Sequence, residues 1–180
     1  MLKKENNYAF IDGANLHMGV ISLGWKLDYG RFRVWLKDKY AVTNAYLFIG
    51  LISKYKDLYS SLQEAGFILI FKEVIYDDVG KPKGNCDADL VLHTVCDTYE
   101  NKYSKAVIVA SDGDYSSLVK FLLKKEKFKA ILSPAKTEKC SVLLKRTNAV
   151  IAYINDQRSL LETQKEKAPN GDKTPQGSFS

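Results

Sequence analysis

Apolar, β-prone runs alternate along this chain with stretches whose apolar residues recur at helical spacing, and acidic side chains stand where several of the apolar runs stop. Residues 8–11, 44–51, 67–75, 106–110, 128–132 and 149–154 read as strands. Residues 14–23, 29–39, 54–65, 115–125 and 138–145 read as helices, with Gly66 placed to stop the third. Ala88, Val91, Leu92, Val95 and Tyr99 follow the spacing of a further helix buried on one side. Asp89, His93 and Asp97 fall on another face of that helix, which reads as solvent-facing, with a local hydrogen bond joining Asp89 and His93. Residues 77–85, rich in Asp, Gly, Pro and Lys, read as a mobile loop. Near-continuous apolar strands separated by helices predict an α/β fold, a mostly parallel central sheet covered on both faces.

Length and composition add bounds. A chain of 180 residues is most simply one domain, here residues 1–156, followed by a helix end and a polar tail over 157–180 that is expected to be disordered from about Gln164. No apolar run approaches the ~20 residues of a membrane span, and the first residues lack an apolar export segment, so a cytoplasmic protein is expected. Cys86, Cys96 and Cys140 give neither a disulfide framework nor a zinc knuckle, and His17 and His93 cannot form a His-rich zinc site alone. No glycine-rich P-loop is present. The net charge of +6 is compatible with a polyanionic partner. Its distribution is more informative: Lys124, Lys125, Lys127 and Lys129 cluster, as do Lys136, Lys139, Lys145 and Arg146, and Lys81 and Lys83 precede an acidic motif.

Three acidic motifs carry the candidate chemistry: Asp12 with Asn15, Asp87 with Asp89, and Asp112 with Asp114. Carboxylates gathered at strand ends repel one another unless a cation sits among them, and oxygen-rich sites suit Mg²⁺ or Mn²⁺. In an open parallel sheet, ligands bind beyond the carboxyl ends of the strands where the strand order reverses. If the chain builds outward from its first strand and then returns to the other side, the strands ending near Asp12 and Asp112 become neighbours. Asp87, nearer the loop, is the preferred third ligand and Asp89 the alternative, because two residues apart on a helix they point in different directions. Asn15, Ser111, Ser116 and Lys83 are candidates for substrate contact; caps and turn bonds explain the first three equally well. Gly13 and Gly113 read as permitting tight strand-to-helix turns.

Phe-Ile-Asp-Gly-Ala-Asn-Leu from Phe10, Lys-Gly-Asn-Cys-Asp-Ala-Asp-Leu from Lys83 and Ser-Asp-Gly-Asp-Tyr from Ser111 resemble, in order and spacing, the NYN domains, the LabA-like branch of the PIN-like ribonucleases. The resemblance spans residues 8–154. It implies a Rossmann-like, PIN-like three-layer sandwich that cleaves RNA, single-stranded RNA being the expected partner. It also implies Mg²⁺ or Mn²⁺ held by Asp12, Asp87, Asp112 and Asp114, with Asn15 in support. One departure stands out: where many members carry a further Asp in the middle helix, this chain has His93, with Asp97 beyond. That departure motivates the alternative of a non-catalytic RNA-binding or adaptor module. An aspartate-dependent phosphatase is disfavoured because Asp12 is followed by Gly13 and Ala14 rather than by a second Asp. Self-association as a homo-oligomer is left open.

Overall fold

The computed structural model describes residues 5–73, 78–79 and 86–164, and the backbone of 75–76 and 82–83. In chain order the elements are β1 (Asn7–Asp12), α1 (Gly13–Ser22), α2 (Tyr29–Tyr40), β2 (Val42–Gly50), α3 (Lys56–Glu64), β3 (Phe67–Lys72), β4 (Ile75–Tyr76), β5 (Pro82–Lys83), α4 (Asp87–Tyr99), β6 (Ala106–Val109), α5 (Ser116–Lys124), β7 (Phe128–Ser133), α6 (Val142–Lys145), β8 (Ile151–Tyr153) and α7 (Arg158–Leu161). The six long strands form one sheet in the order β3-β2-β1-β6-β7-β8, every pairing parallel. The chain steps outward from β1 to β3, crosses back through α4, and steps outward again from β6 to β8. The reversal falls between β1 and β6, as expected for an open α/β sheet with a ligand crevice.

Two apolar cores sandwich the sheet, and strand alternation decides which residue joins which. Ala9 and Ile11 of β1 face one core with Leu16 and Val20 of α1, Phe32, Trp35 and Leu36 of α2, and Leu161 of α7. Phe10 faces the other with Leu90 of α4, Leu118, Val119 and Leu122 of α5, and Leu144 of α6. The C-terminal turn is tied to the body: the Asp28 N–H donates to the Leu161 carbonyl at 2.8 Å, and the Leu161 side chain is fully buried.

Two expectations change. The strand expected over 67–75 ends at Lys72, and Ile75–Tyr76 pair antiparallel with Pro82–Lys83 instead. Of the expected mobile loop, residues 77, 80, 81, 84 and 85 lie outside the described residues, as does the tail beyond Gln164. The larger change is the face of α4. Leu92 and Tyr99 are 64% and 65% exposed, whereas Leu90, Thr94, Asp97 and Thr98 are buried. The helix turns a partly polar stripe inward, and the two threonines of that stripe are satisfied within the helix itself. The Thr94 hydroxyl donates to the Leu90 carbonyl and the Thr98 hydroxyl to the Thr94 carbonyl, both at 2.7 Å. Asp97, read as solvent-facing, is 2% exposed and accepts from Lys102 Nζ at 2.9 Å.

Candidate active site

Ile11 lies opposite Val109 in the β1–β6 pairing, so Asp12 and the turn from Ser111 to Tyr115 occupy the same carboxyl end of adjacent strands. Asp12 shares the Phe10 face of β1 and therefore points toward α4 and α5. It also caps α1, its Oδ1 accepting from the Asn15 N–H at 2.9 Å. Gly13 follows in a conformation open to any residue. What it supplies is room, because a Cβ there would stand 2.7 Å from the Phe48 carbonyl oxygen. At Gly113 the crowding comes from side chains: a Cβ would meet Ser141 Oγ at 2.5 Å, with Leu143 Cβ at 3.3 Å. Close approach, rather than a left-handed turn, is why both positions are glycine.

Tyr115 organises the site. Its ring is fully buried, and its hydroxyl lies 2.9 Å from Asp12 Oδ2 and 2.6 Å from Asp87 Oδ1. Its burial keeps the ring from serving as a platform for unpaired bases. The missed signal was its place three residues after Asp112, one turn past a strand end, where an aromatic reaches back under the sheet's edge. One hydroxyl carries one proton, so both contacts can be hydrogen bonds at once only if a carboxyl brings a second. Burial raises the Asp12 pKa, outweighing the lowering effect of its Asn15 and Tyr115 hydrogen bonds. Burial, then the Asp12 charge, drives the Tyr115 phenol upward, so the hydroxyl stays a donor.

The other predicted residues divide. Asp87 opens α4 and joins Asp12 at Tyr115; Asp89 turns away to an ion pair with Lys72 at 2.8 Å. Asp112 and Asp114 are exposed, and Asp112 Oδ1 accepts from the Asp114 N–H at 3.2 Å. Asn15 is spent on the scaffold: its Oδ1 accepts from both the N–H and the hydroxyl of Ser111, at 2.9 and 3.0 Å, stitching α1 to the turn after β6. Ser116 begins α5, half-buried. The Lys83 side chain lies outside the described residues. His93 does not bond Asp89; its Nε2 faces Asp97 Oδ2 at 3.3 Å, with its ring among Phe10, Tyr46 and Phe48. Burial and the carboxylates of Asp12, Asp89 and Asp87 push the Cys86 thiol up to about 11, so it is not a thiolate nucleophile at neutral pH.

Among the described residues no three His, Cys, Asp or Glu side chains are gathered closely enough to hold a metal ion. The pair Asp12 and Asp87 nonetheless fits a hard divalent cation. Mg²⁺ is commonly held by one or two carboxylates, with water and substrate phosphate completing its shell, and a half-desolvated carboxylate pair gains most from a positive charge. The two lysine clusters separate. Lys136 and Lys139 follow β7 at the crevice end, exposed, on a segment tied to it by the Ser141 N–H donating to the Ser111 carbonyl. Lys124 and Lys125 precede β7 at the opposite end of the sheet.

Among the described residues no helix is long and apolar enough to cross a membrane. No curated protein matches the chain. The fold is similar to that of a protein of unknown function from Vibrio parahaemolyticus, with a TM-score of 0.73 at 20% identity over 89% of this chain and 98% of that one, a likeness of fold alone and consistent with a PIN-like sandwich. The NYN domain model matches residues 8–154, nearly the whole folded body, and the chain belongs to the NYN domain family.

Proposed function

We propose that this protein is a divalent-metal-dependent ribonuclease, of the LabA-like branch and cytoplasmic, that hydrolyses phosphodiester bonds in single-stranded RNA. Membership of a PIN-like nuclease family supports a nuclease. The observation that carries the finer reading is the meeting of Asp12 and Asp87 on one buried hydroxyl at the strand switch point. Asp12 and Asp87 hold Mg²⁺ or Mn²⁺, and Asp112 and Asp114 take part from the exposed rim of the same strand end. A divalent cation bound there supplies an acidified water and offsets charge on the phosphate. Tyr115 keeps the two carboxylates in register, and Asn15 with Ser111 fixes the distance between the turns that bear Asp12 and Asp112. Lys136 and Lys139 draw the polyanion to the crevice without reading its sequence.

The test is cleavage of single-stranded RNA in Mn²⁺ or Mg²⁺ by the parent and by folded Asp12→Asn and Asp112→Asn chains. Loss of a cation worth several kcal/mol in the transition state predicts a drop of at least about a hundredfold for Asp12→Asn; unchanged cleavage ends the reading. A second reading, an RNA-binding module without catalysis, rests on the missing third carboxylate near Asp12 and Asp87 among the described residues and on His93 in the middle helix. Tight RNA binding with no cleavage in either metal favours it.

A further inference from the structure

The proposed catalytic end leaves two features unexplained: the apolar stripe that α4 turns to solvent, and the lysines at the opposite end of the sheet. They are continuous. A groove of about 430 Å³ runs between β3 and α4, lined by Ile70, Phe71, Lys72, Leu92, His93 and Lys102 among others. Its upper end is the Lys72–Asp89 pair, two residues along α4 from Asp87. Down the helix follow Leu92 and Tyr99, both about two-thirds exposed. Beyond the groove, on the α5 side of the same helix end, Tyr99 packs against Phe121 of α5 with centroids 5.9 Å apart, and Lys125 Nζ lies 4.8 Å over the Tyr99 ring. Lys120 and Lys124 stand exposed beside it. From Asp87 to Tyr99 the helix rises roughly 18 Å.

We propose that this strip, the β3–α4 groove and the Tyr99–Lys125 patch beyond it, is a track for single-stranded RNA that leads to the Asp12–Asp87 crevice. It deepens the ribonuclease reading and rests on it for the direction of the strand. The occupant follows from the interleaving of rings and cations. Sequence-tolerant single-strand sites pair aromatic faces for bases with lysines along the backbone, whereas the cores of protein–protein interfaces are depleted in lysine. Unpaired bases are required, because a duplex offers no base faces to Tyr99 or Phe71. Lys72 and Lys102 are held by carboxylates on the protein, at 2.8 Å from Asp89 and at 2.9 and 2.6 Å from Asp97 and Glu100, so they are fixed in place at the two ends of the groove. Lys120, Lys124 and Lys125 supply the unscreened charge.

The experiment measures anisotropy of fluorescein-labelled single-stranded oligouridine with the full chain in EDTA, which stops metal-dependent cleavage without altering the protein. Tyr99→Ala weakens binding about tenfold, the worth of one stacked base, and Tyr99→Phe stays close to the parent. Leu92→Asp, which sets a negative charge in the strip, weakens binding, and Lys124→Glu with Lys125→Glu weakens it and flattens its salt dependence. All four positions are exposed, so thermal melts should match the parent. Parental affinity in Tyr99→Ala and in the double charge reversal overturns the track. So does a Tyr99→Ala chain that changes sedimenting mass but not RNA affinity, which marks a surface for a second copy. The two readings fail separately: these losses without any Mn²⁺-dependent cleavage end the nuclease alone, and Asp12-dependent cleavage with unaltered KM in Tyr99→Ala ends the track alone.

Discussion

The hydroxyl of Tyr115 lies 2.9 Å from Oδ2 of Asp12, joining residues 103 positions apart in the chain. The ring is locked in the α5-side core, so the donor cannot move away from the carboxylate it serves. The same oxygen reaches Asp87, and the site's geometry therefore depends on a buried atom that does not titrate near neutrality.

Tyr115→Phe keeps the ring and deletes only that atom. Two carboxylates then face each other with no shared donor. Residues that orient metal ligands typically contribute 10- to 100-fold to affinity or activity, so metal titration should show about 10- to 100-fold weaker Mn²⁺ binding, with cleavage lowered in step. A variant that binds Mn²⁺ and cleaves like the parent removes Tyr115 from the machinery.

Asp12→Asn should stabilise the metal-free protein while it silences the site. Burial raises the folded pKa of Asp12 above the unfolded one, so the folded state holds its proton longer. The group is neutral in its effect at acid pH, where both states are protonated. It becomes destabilising as pH rises from the ordinary carboxylate range through the raised folded value, and stays so above it. Asparagine removes that penalty and remains a good cap for α1. The stability gap between variant and parent should open with rising pH toward about 0.5–2 kcal/mol and shrink when Mg²⁺ is added, since the proposed cation site needs the Asp12 carboxylate. Urea midpoints at acid and neutral pH with and without Mg²⁺ measure both slopes.

The sheet order was legible because parallel strands are buried on both faces and read as unbroken apolar runs; β1 and β6 announce themselves, and the switch-point rule then places Asp12 beside the turn bearing Asp112. The face of α4 was not legible. Periodicity counts Thr94, Thr98 and Asp97 as polar, yet threonine hydroxyls that bond their own helix carbonyls bury at little cost, and Asp97 is served by a lysine from beyond the helix end. Tyr115 was visible as a residue but not as a bridge, because nothing in a linear pattern says that a side chain at 115 meets ones at 12 and 87.

Gly13→Ala tests how closely β2 confines the start of α1. The new methyl would stand 2.7 Å from the Phe48 carbonyl, a backbone atom opposite Asp12 in the β1–β2 pairing, so the helix start and not the neighbour must move. Overpacking of this kind costs about 1–3 kcal/mol. Because the same residues carry Asp12 and Asn15, cleavage should fall by more than the loss of folded protein explains. A melt shifted down with parental activity per folded molecule would show that the carboxylate is positioned independently of the cap.

Asp97 and Lys102 give the last contrast. The carboxylate is buried and the ammonium is half-exposed, 2.9 Å away. Removing the buried partner leaves Lys102 half-exposed and still paired with Glu100 at 2.6 Å, and replacing a buried charge by an apolar group of similar size is often neutral. Removing the exposed partner leaves a charge inside the protein, faced among the described residues by His93 Nε2 at 3.3 Å. Lys102→Met should therefore lower the urea midpoint more than Asp97→Leu, which should stay within about 1 kcal/mol of the parent. The reverse order would mean that Asp97 holds α4 against the sheet by its bonds and is not an internal charge that Lys102 was recruited to offset.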